Sequence, residues 1–322
     1  MIRISQGAVR TSFGGVAVGI EQRLGDVILP LLTPFDASGE IDVPTLGGVI
    51  EYVLAHRLCD SLLTAGTTGE FYALSFKERT RLFEQTLNVV RNRVPLVAGT
   101  GAVTTRDTLR LTEQAERLGY DAVAVIAPYY SRPTQEELYE HFTAVARATR
   151  LPIIVYNIPL FTGVNVMPET LGRIAEQPNI VGVKDQAGAN PVQASDYLRV
   201  APHLAVYSGD DAMTLQVLAQ GGVGVVSGGA HALGDLIREM IRRFKAGDVR
   251  GATDLHHRMM PFHRALGAGG RVNPIPAIRE AFSLASGIDV GPPRRPLLPL
   301  RDEERSRLRS VLSQLERMQV GR

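Results

Sequence analysis

Short apolar runs rich in β-branched residues recur along the chain, and each is followed by polar or glycine-rich residues and then by a helical pattern. Most runs are apolar on both alternating faces, which is typical of strands in a parallel sheet that is covered on both sides. Repeated β/α units of this kind predict a TIM (β/α)8 barrel of the α/β class. The predicted strands are residues 27–32, 61–65, 95–99, 122–127, 152–157, 180–184, 204–208 and 223–227.

The segments between these runs carry the signals of helix ends. Ser75 with Glu78 and Thr134 with Glu137 have the spacing of capping boxes, and Gly119 stands where the helix before the fourth run should end. We therefore divide the chain into a loose N-terminal extension (1–25), a catalytic barrel (26–247) and a C-terminal helical subdomain (248–322). An open doubly wound sheet is the alternative fold, although it commonly has fewer strands.

Composition excludes several classes of protein. The net charge of +2 is spread along the chain without a polybasic run, so nucleic acid is not an expected partner. No apolar run is long enough to cross a membrane. The single cysteine, Cys59, excludes an intramolecular disulfide and a multi-cysteine metal site. We expect a cytoplasmic protein.

Lys184 is the strongest candidate for a reactive residue, because barrel active sites lie at the carboxyl ends of the strands. The chain has only three lysines; Lys77 and Lys245 fall on polar helical stretches, whereas Lys184 closes an apolar run. Removal of an ammonium from water favours the neutral amine, which attacks carbonyl carbon to form an imine. The alternative is a structural lysine paired with Asp185 or Asp211.

Hydroxyl groups end two other strands. Tyr156 closes the fifth run, where a phenol can relay protons during imine chemistry, although a tyrosine at this position is also a common core residue. Thr67 and Thr68 follow the second run between Gly66 and Gly69, and a glycine-rich turn can direct its N–H groups toward a carboxylate.

Taken together, these motifs resemble the dihydrodipicolinate synthase and N-acetylneuraminate lyase family of pyruvate-dependent class I aldolases and dehydratases. The resemblance extends over residues 27–315. The motifs that carry it are Thr33-Pro34-Phe35, Gly66-Thr67-Thr68-Gly69-Glu70, Pro128-Tyr129-Tyr130, Tyr156-Asn157-Ile158-Pro159 with Thr162-Gly163, Gly182-Val183-Lys184, Ser208-Gly209-Asp210-Asp211 and Asn273-Pro274-Ile275-Pro276.

The resemblance implies a role for each matching position. Lys184 forms the imine with pyruvate or another 2-oxo acid, without a cofactor or a metal, and Tyr156 relays protons. Thr67 links Tyr156 to Tyr130, which a neighbouring subunit lends, so the chain is expected to form a homodimer or homotetramer. Further positions are expected to bind the substrate, namely Gly66, Thr68, Phe161, Gly209, Asp211 and Val226.

The resemblance also indicates which substrate to expect. Phe161 stands where the dihydrodipicolinate synthases have an arginine for the carboxylate of aspartate semialdehyde, and Ala212 stands where the sialate lyases have a glutamate. Unless Arg132 or another arginine replaces the missing one, the sequence therefore favours an aldolase or dehydratase of a 2-keto-3-deoxy sugar acid or a similar 2-oxo acid. Asp185, Gln186 and Asp211 would then bind substrate hydroxyls. The alternative is 4-hydroxy-tetrahydrodipicolinate synthase.

Three other functions remain open at this point. Gly221, Gly222, Gly228 and Gly229 flank the eighth run, where barrels often bind phosphate. A metal-dependent barrel is disfavoured, because His256, His257 and His263 fall in the helical tail and are better explained by surface or packing roles. A non-catalytic pyruvate sensor is disfavoured by the presence of Lys184.

Overall fold

Eight short parallel strands form the centre of the structure. The computed structural model describes residues 19–188 and 190–320, and its strands are β1 Val27–Pro30, β2 Ser61–Thr64, β3 Leu96–Gly99, β4 Ala122–Ile126, β5 Ile153–Asn157, β6 Ile180–Asp185, β7 Ala205–Ser208 and β8 Gly224–Val226. Each strand pairs with the next, and β1 pairs with β8, so the sheet closes. The predicted TIM barrel is confirmed, and the open-sheet alternative is wrong.

Helices alternate with the strands and continue after the last one. They are α1 Ile20–Leu24, α2 Val43–Ala55, α3 Phe76–Val90, α4 Thr105–Leu118, α5 Gln135–Ala148, α6 Pro159–Thr162, α7 Pro168–Ile174, α8 Gln193–Val200, α9 Thr214–Ala219, α10 Ala230–Lys245, α11 Val249–Leu266, α12 Ile275–Ser286 and α13 Asp302–Val320. Short 3-10 turns cover Phe71–Ala73, Asp211–Met213 and Ala268–Gly270. Helices α11 and α12 pack on α10, and α13 packs on both of them.

The predicted helix ends have the expected chemistry. The Ser75 and Glu78 side chains bond each other's backbone N–H groups at the start of α3, and Thr134 and Glu137 do the same at the start of α5. Gly119 ends α4 in the left-handed conformation, with φ of +83°.

Helix α1 closes the amino-terminal end of the barrel. Its Ile20 and Leu24 are buried in the same cluster as the inward side chains of β1, β2 and β8. Tyr207, which points inward from β7, donates a hydrogen bond of 3.0 Å to the carbonyl of Gly25. The expected N-terminal extension, residues 1–25, is therefore not loose throughout; residues 1–18 lie outside the described residues.

A buried ion pair joins the loop after β2 to the C-terminal helices. Arg279 of α12 contacts Glu70 at 3.0 Å, and their side chains are 3% and 0% exposed. Arg279 also donates to the carbonyl of Thr33 after β1, and Arg294 donates its backbone N–H to Glu70. This cluster fixes Gly66-Thr67-Thr68-Gly69 relative to the C-terminal helices.

In the part of the chain that the structure describes, no helix is both long enough and apolar enough to cross a bilayer.

Replacement of Arg279 tests how much this ion pair contributes to stability. Arg279→Met removes the ion-pair partner of the buried Glu70, and we expect it to lower the free energy of unfolding by about 3–5 kcal/mol. The exposed Arg305–Glu280 pair offers a matched control, because Arg305→Met should cost less than about 1 kcal/mol. Urea titration followed by circular dichroism measures both values. Equal losses in the two variants would contradict the prediction.

Candidate active site

A cavity of about 350 Å³ opens at the carboxyl-terminal end of the barrel. Residues that follow the strands form one side of its wall, and the segment from α11 to α12 forms the other. Eight of the ten predicted site residues line it, namely Thr67, Thr68, Tyr156, Phe161, Lys184, Gly209, Asp211 and Val226. Gly66 and Tyr130 do not.

Lys184 points into this cavity from β6 and is 5% exposed. It lies beside Tyr156 in the β5–β6 register, and its Nζ atom is 3.9 Å from the centroid of the Tyr156 ring. Its ammonium makes no hydrogen bond or ion pair with any described residue, so the alternative of a lysine paired with Asp185 or Asp211 is wrong. The ring face offers only a weak attraction to a cation.

Asp185 follows Lys184 and therefore points to the opposite face of β6. Its Oδ1 atom accepts hydrogen bonds from Asn157 at 2.8 Å and from Gln193 at 2.9 Å. Burial raises the pKa of this carboxyl group. The expectation that Asp185 binds a substrate hydroxyl is wrong, because the side chain lies between the barrel and α8. Gln186 does line the cavity.

Tyr156 and Thr67 form a pair of hydroxyl groups 3.0 Å apart. The loop that carries Thr67 is bracketed by two non-glycine residues with positive φ, Ala65 at +55° and Glu70 at +55°. Residue 69 must be a glycine because there is no room for a side chain. A Cβ atom at this position would come 2.8 Å from the carbonyl oxygen of Leu31. The glycines of this loop thus serve close packing rather than unusual backbone angles.

Two predicted site residues lie elsewhere. Gly66 is part of the turn itself, where its carbonyl accepts the N–H of Gly69 at 3.0 Å, so its expected direct contact with substrate is not supported. Tyr130 is 92% exposed and has a φ of +70°. It does not line the cavity of its own chain, and its expected contribution to a neighbouring site stays a prediction.

Gly209 makes room for the lysine. A Cβ atom at this position would lie 2.9 Å from Cε of Lys184 and 2.9 Å from Cβ of Gln186. Val226 contributes an apolar wall from β8, and Phe161 contributes an aromatic one from α6. Any side chain at residue 209 would therefore press on the end of the Lys184 side chain.

The sequence did not predict the polar residues that α11 contributes. His263 and Arg264 line the cavity, although the tail histidines were expected to be surface or packing residues. Burial lowers the pKa of His263, and the nearby Asp211 and Asp210 oppose this effect. Because only the packing of α11 over the barrel mouth brings these residues to the cavity, no local motif could have identified them.

Residues 19–188 and 190–320 contain no group of three or more His, Cys, Asp or Glu side chains arranged to hold a metal ion. The expectation that the reaction uses no cofactor stays a prediction.

Comparison with known proteins gives the same family as the motifs. The model of the dihydrodipicolinate synthetase family matches residues 23–315. The 4-hydroxy-tetrahydrodipicolinate synthase of Desulforudis audaxviator is 41% identical over 293 residues, which cover 91% of this chain and 98% of that protein. That of Bacillus subtilis is 41% identical over 292 residues, or 90% and 99% of the two chains.

Solved structures agree with these relatives. Dihydrodipicolinate synthase from Bacillus anthracis superimposes with a TM-score of 0.85 and 37% identity, covering 90% of this chain and 98% of the other. YagE, a prophage protein of this family from Escherichia coli K12 solved with pyruvate, has a TM-score of 0.85 and 27% identity, with coverage of 90% and 98%. The resemblance predicted from the motifs is confirmed: the chain belongs to the dihydrodipicolinate synthetase family and is a lyase of the class I aldolase type.

Proposed function

We propose that this protein is a 4-hydroxy-tetrahydrodipicolinate synthase, which joins pyruvate to aspartate semialdehyde through an imine on Lys184. The observation that carries the proposal is the buried Lys184 amine without a counter-charge, beside the Tyr156–Thr67 hydroxyl pair. The relatives of that name, at 41% identity over nine-tenths of the chain, support this substrate pair better than the sugar acid that Phe161 favours.

The chemistry needs one nucleophile and several proton transfers. The Lys184 amine attacks C2 of pyruvate, and water leaves as the imine forms. Loss of a C3 proton gives an enamine, whose C3 atom bonds to the aldehyde carbon, and the aldehyde oxygen takes up a proton. The amino group of the second substrate, as the free amine, then attacks the imine carbon, and the Lys184 amine leaves as the ring closes. The whole reaction therefore yields the cyclic product and one water, the one lost when the imine formed.

The Tyr156–Thr67 hydroxyl pair would carry out the proton transfers. The Tyr156 ring lies against Nζ of Lys184, and its phenol would exchange protons with the forming imine. Thr67 connects this phenol to the loop. Thr68, on the same loop, lines the cavity where the pyruvate carboxylate would bind, and Val226 would face the apolar methyl group.

A second candidate function rests on a specific observation. Phe161 provides no charge, while Gln186 and Asp211 offer polar atoms to the same cavity. Such a wall also suits the hydroxyls of a 2-keto-3-deoxy sugar acid, which an aldolase or dehydratase of this family would cleave or dehydrate.

Tyr130 supports an assembly of at least two chains. A tyrosine that is 92% exposed with a φ of +70° has an unfavourable backbone and no burial in its own chain. Insertion into the site of a neighbouring copy would explain both features.

Borohydride reduction in the presence of pyruvate tests the imine. We expect a stable adduct of one reduced pyruvate unit on the peptide that contains Lys184, measured by intact-mass and peptide analysis. Lys184→Arg should abolish the adduct, whereas Lys77→Arg, on the surface of α3, should retain it. Absence of an adduct in the wild-type protein would contradict the imine mechanism.

Turnover separates the two candidate functions. Purified protein should consume pyruvate together with aspartate semialdehyde, which coupled reduction of the cyclic product reports. It should act poorly on 2-keto-3-deoxy-gluconate, whose uncharged hydroxyl chain would stand in the cavity where the proposed function places the carboxylate and ammonium of aspartate semialdehyde. The reverse order of activities would favour the sugar-acid function.

Gly209→Ala tests the space around the lysine. The new methyl group would displace Lys184 by part of an ångström, and misplacement of a reacting group costs roughly 10- to 100-fold in rate. We expect kcat/KM for pyruvate to fall by this amount. The control is Gly47→Ala, since Gly47 of α2 has open space around its Cβ position. Unchanged kinetics in Gly209→Ala would contradict the prediction.

A further inference from the structure

The cavity contains one cationic side chain that the reaction and the fold leave unused. Among described residues, Lys184, Arg264 and Arg271 line it with positive charge. Arg271 is engaged by Glu304 at 3.1 Å and by the carbonyls of Leu298 and Pro299. The guanidinium of Arg264 makes no hydrogen bond or ion pair with any described residue, so it is available to an anionic ligand.

Two unpaired polar atoms lie in the same wall. Oδ1 of Asp211 and Nδ1 of His263 are buried and have no hydrogen-bond partner among the described residues. The other oxygen of Asp211 accepts the N–H of Gly229 at 2.8 Å, which fixes the carboxylate. Buried polar atoms are almost always paired, so a polar ligand held against this wall would supply partners that the chain itself does not.

We infer that Arg264 binds the carboxylate of the second substrate, from α11 rather than from the segment after β5. This inference rests on the proposed function. A guanidinium binds a carboxylate through two parallel hydrogen bonds, which the aromatic ring of Phe161 cannot provide.

The charges of the wall match those of aspartate semialdehyde. Its carboxylate and ammonium are carried by one carbon atom, at the end of the molecule away from the reacting aldehyde. Arg264 offers a positive charge, while Asp211 offers a negative one next to His263. A 2-keto-3-deoxy sugar acid has its carboxylate at the end that forms the imine. The rest of that molecule would present only uncharged hydroxyls to this wall and would not need Arg264.

Steady-state kinetics of Arg264→Gln test the assignment. We expect KM for aspartate semialdehyde to rise about 10- to 100-fold, the range for hydrogen bonds to a charged group, while KM for pyruvate stays unchanged. Arg264→Lys should fall between wild type and Arg264→Gln, because it keeps the charge without the paired donors. Arg250→Gln is the control, since Arg250 is exposed on the same helix and does not line the cavity.

A second aldehyde identifies the group that Arg264 binds. Succinate semialdehyde keeps the carboxylate and lacks the ammonium, so its inhibition constant should rise in Arg264→Gln by the same factor. A rise for aspartate semialdehyde alone would overturn the carboxylate assignment.

Borohydride trapping keeps the two proposals distinguishable. Arg264→Gln should form the pyruvate adduct on Lys184 as wild type does. If neither protein forms it, the proposed function fails. If both form it and their KM values for aspartate semialdehyde agree, the inference about Arg264 is wrong and the imine stands. Wild-type protein that traps pyruvate but does not turn over aspartate semialdehyde also overturns the inference.

Discussion

The buried ion pair between Glu70 and Arg279 holds the two halves of the site together. Glu70 ends the loop that carries Thr67 and Thr68, and Arg279 belongs to α12. The same guanidinium bonds the carbonyl of Thr33 after β1. Burial opposes the charged form of both groups, raising the pKa of Glu70 and lowering that of Arg279, so each depends on the other for compensation. Without this contact, the threonine loop and the C-terminal wall of the cavity would be set independently.

The positive charge of Lys184 has no ion-pair partner among the described residues of this cavity. Lys184 has the ring of Tyr156 as its nearest charge-stabilising neighbour, and the acidic side chain next to it in sequence points away. Asp210 and Asp211 line the same cavity, but neither pairs with the lysine. Asp211 accepts the N–H of Gly229, and Asp210 accepts the N–H of Ala212. A buried lysine without an ion-pair partner would be stabilised by a bound substrate carboxylate or by conversion to an imine.

The barrel was predictable because its signal is local. A strand covered on both faces is apolar throughout, and each predicted strand overlaps the observed one within two residues at either end. The position of Lys184 followed from the same pattern. Side-chain direction was less accessible: Asp185 looked like a neighbour of Lys184, but the period of two along a strand sends it to the outer face. Helix α1 was missed because five residues are too few to show helical periodicity.

Phe161 illustrates a different limit of sequence reasoning. A missing arginine at one motif position excludes a contact from that segment, but it does not exclude the same charge from another segment of the chain. The cavity has a second wall, formed by α11, whose register over the barrel mouth depends on packing against α10 and α13. Nothing in the spacing of Arg264 relative to the strands reveals that register. Substrate specificity in a barrel with an added helical subdomain must therefore be read from every element that reaches the mouth, since a charge lost at one loop can be supplied by a helix far away in sequence.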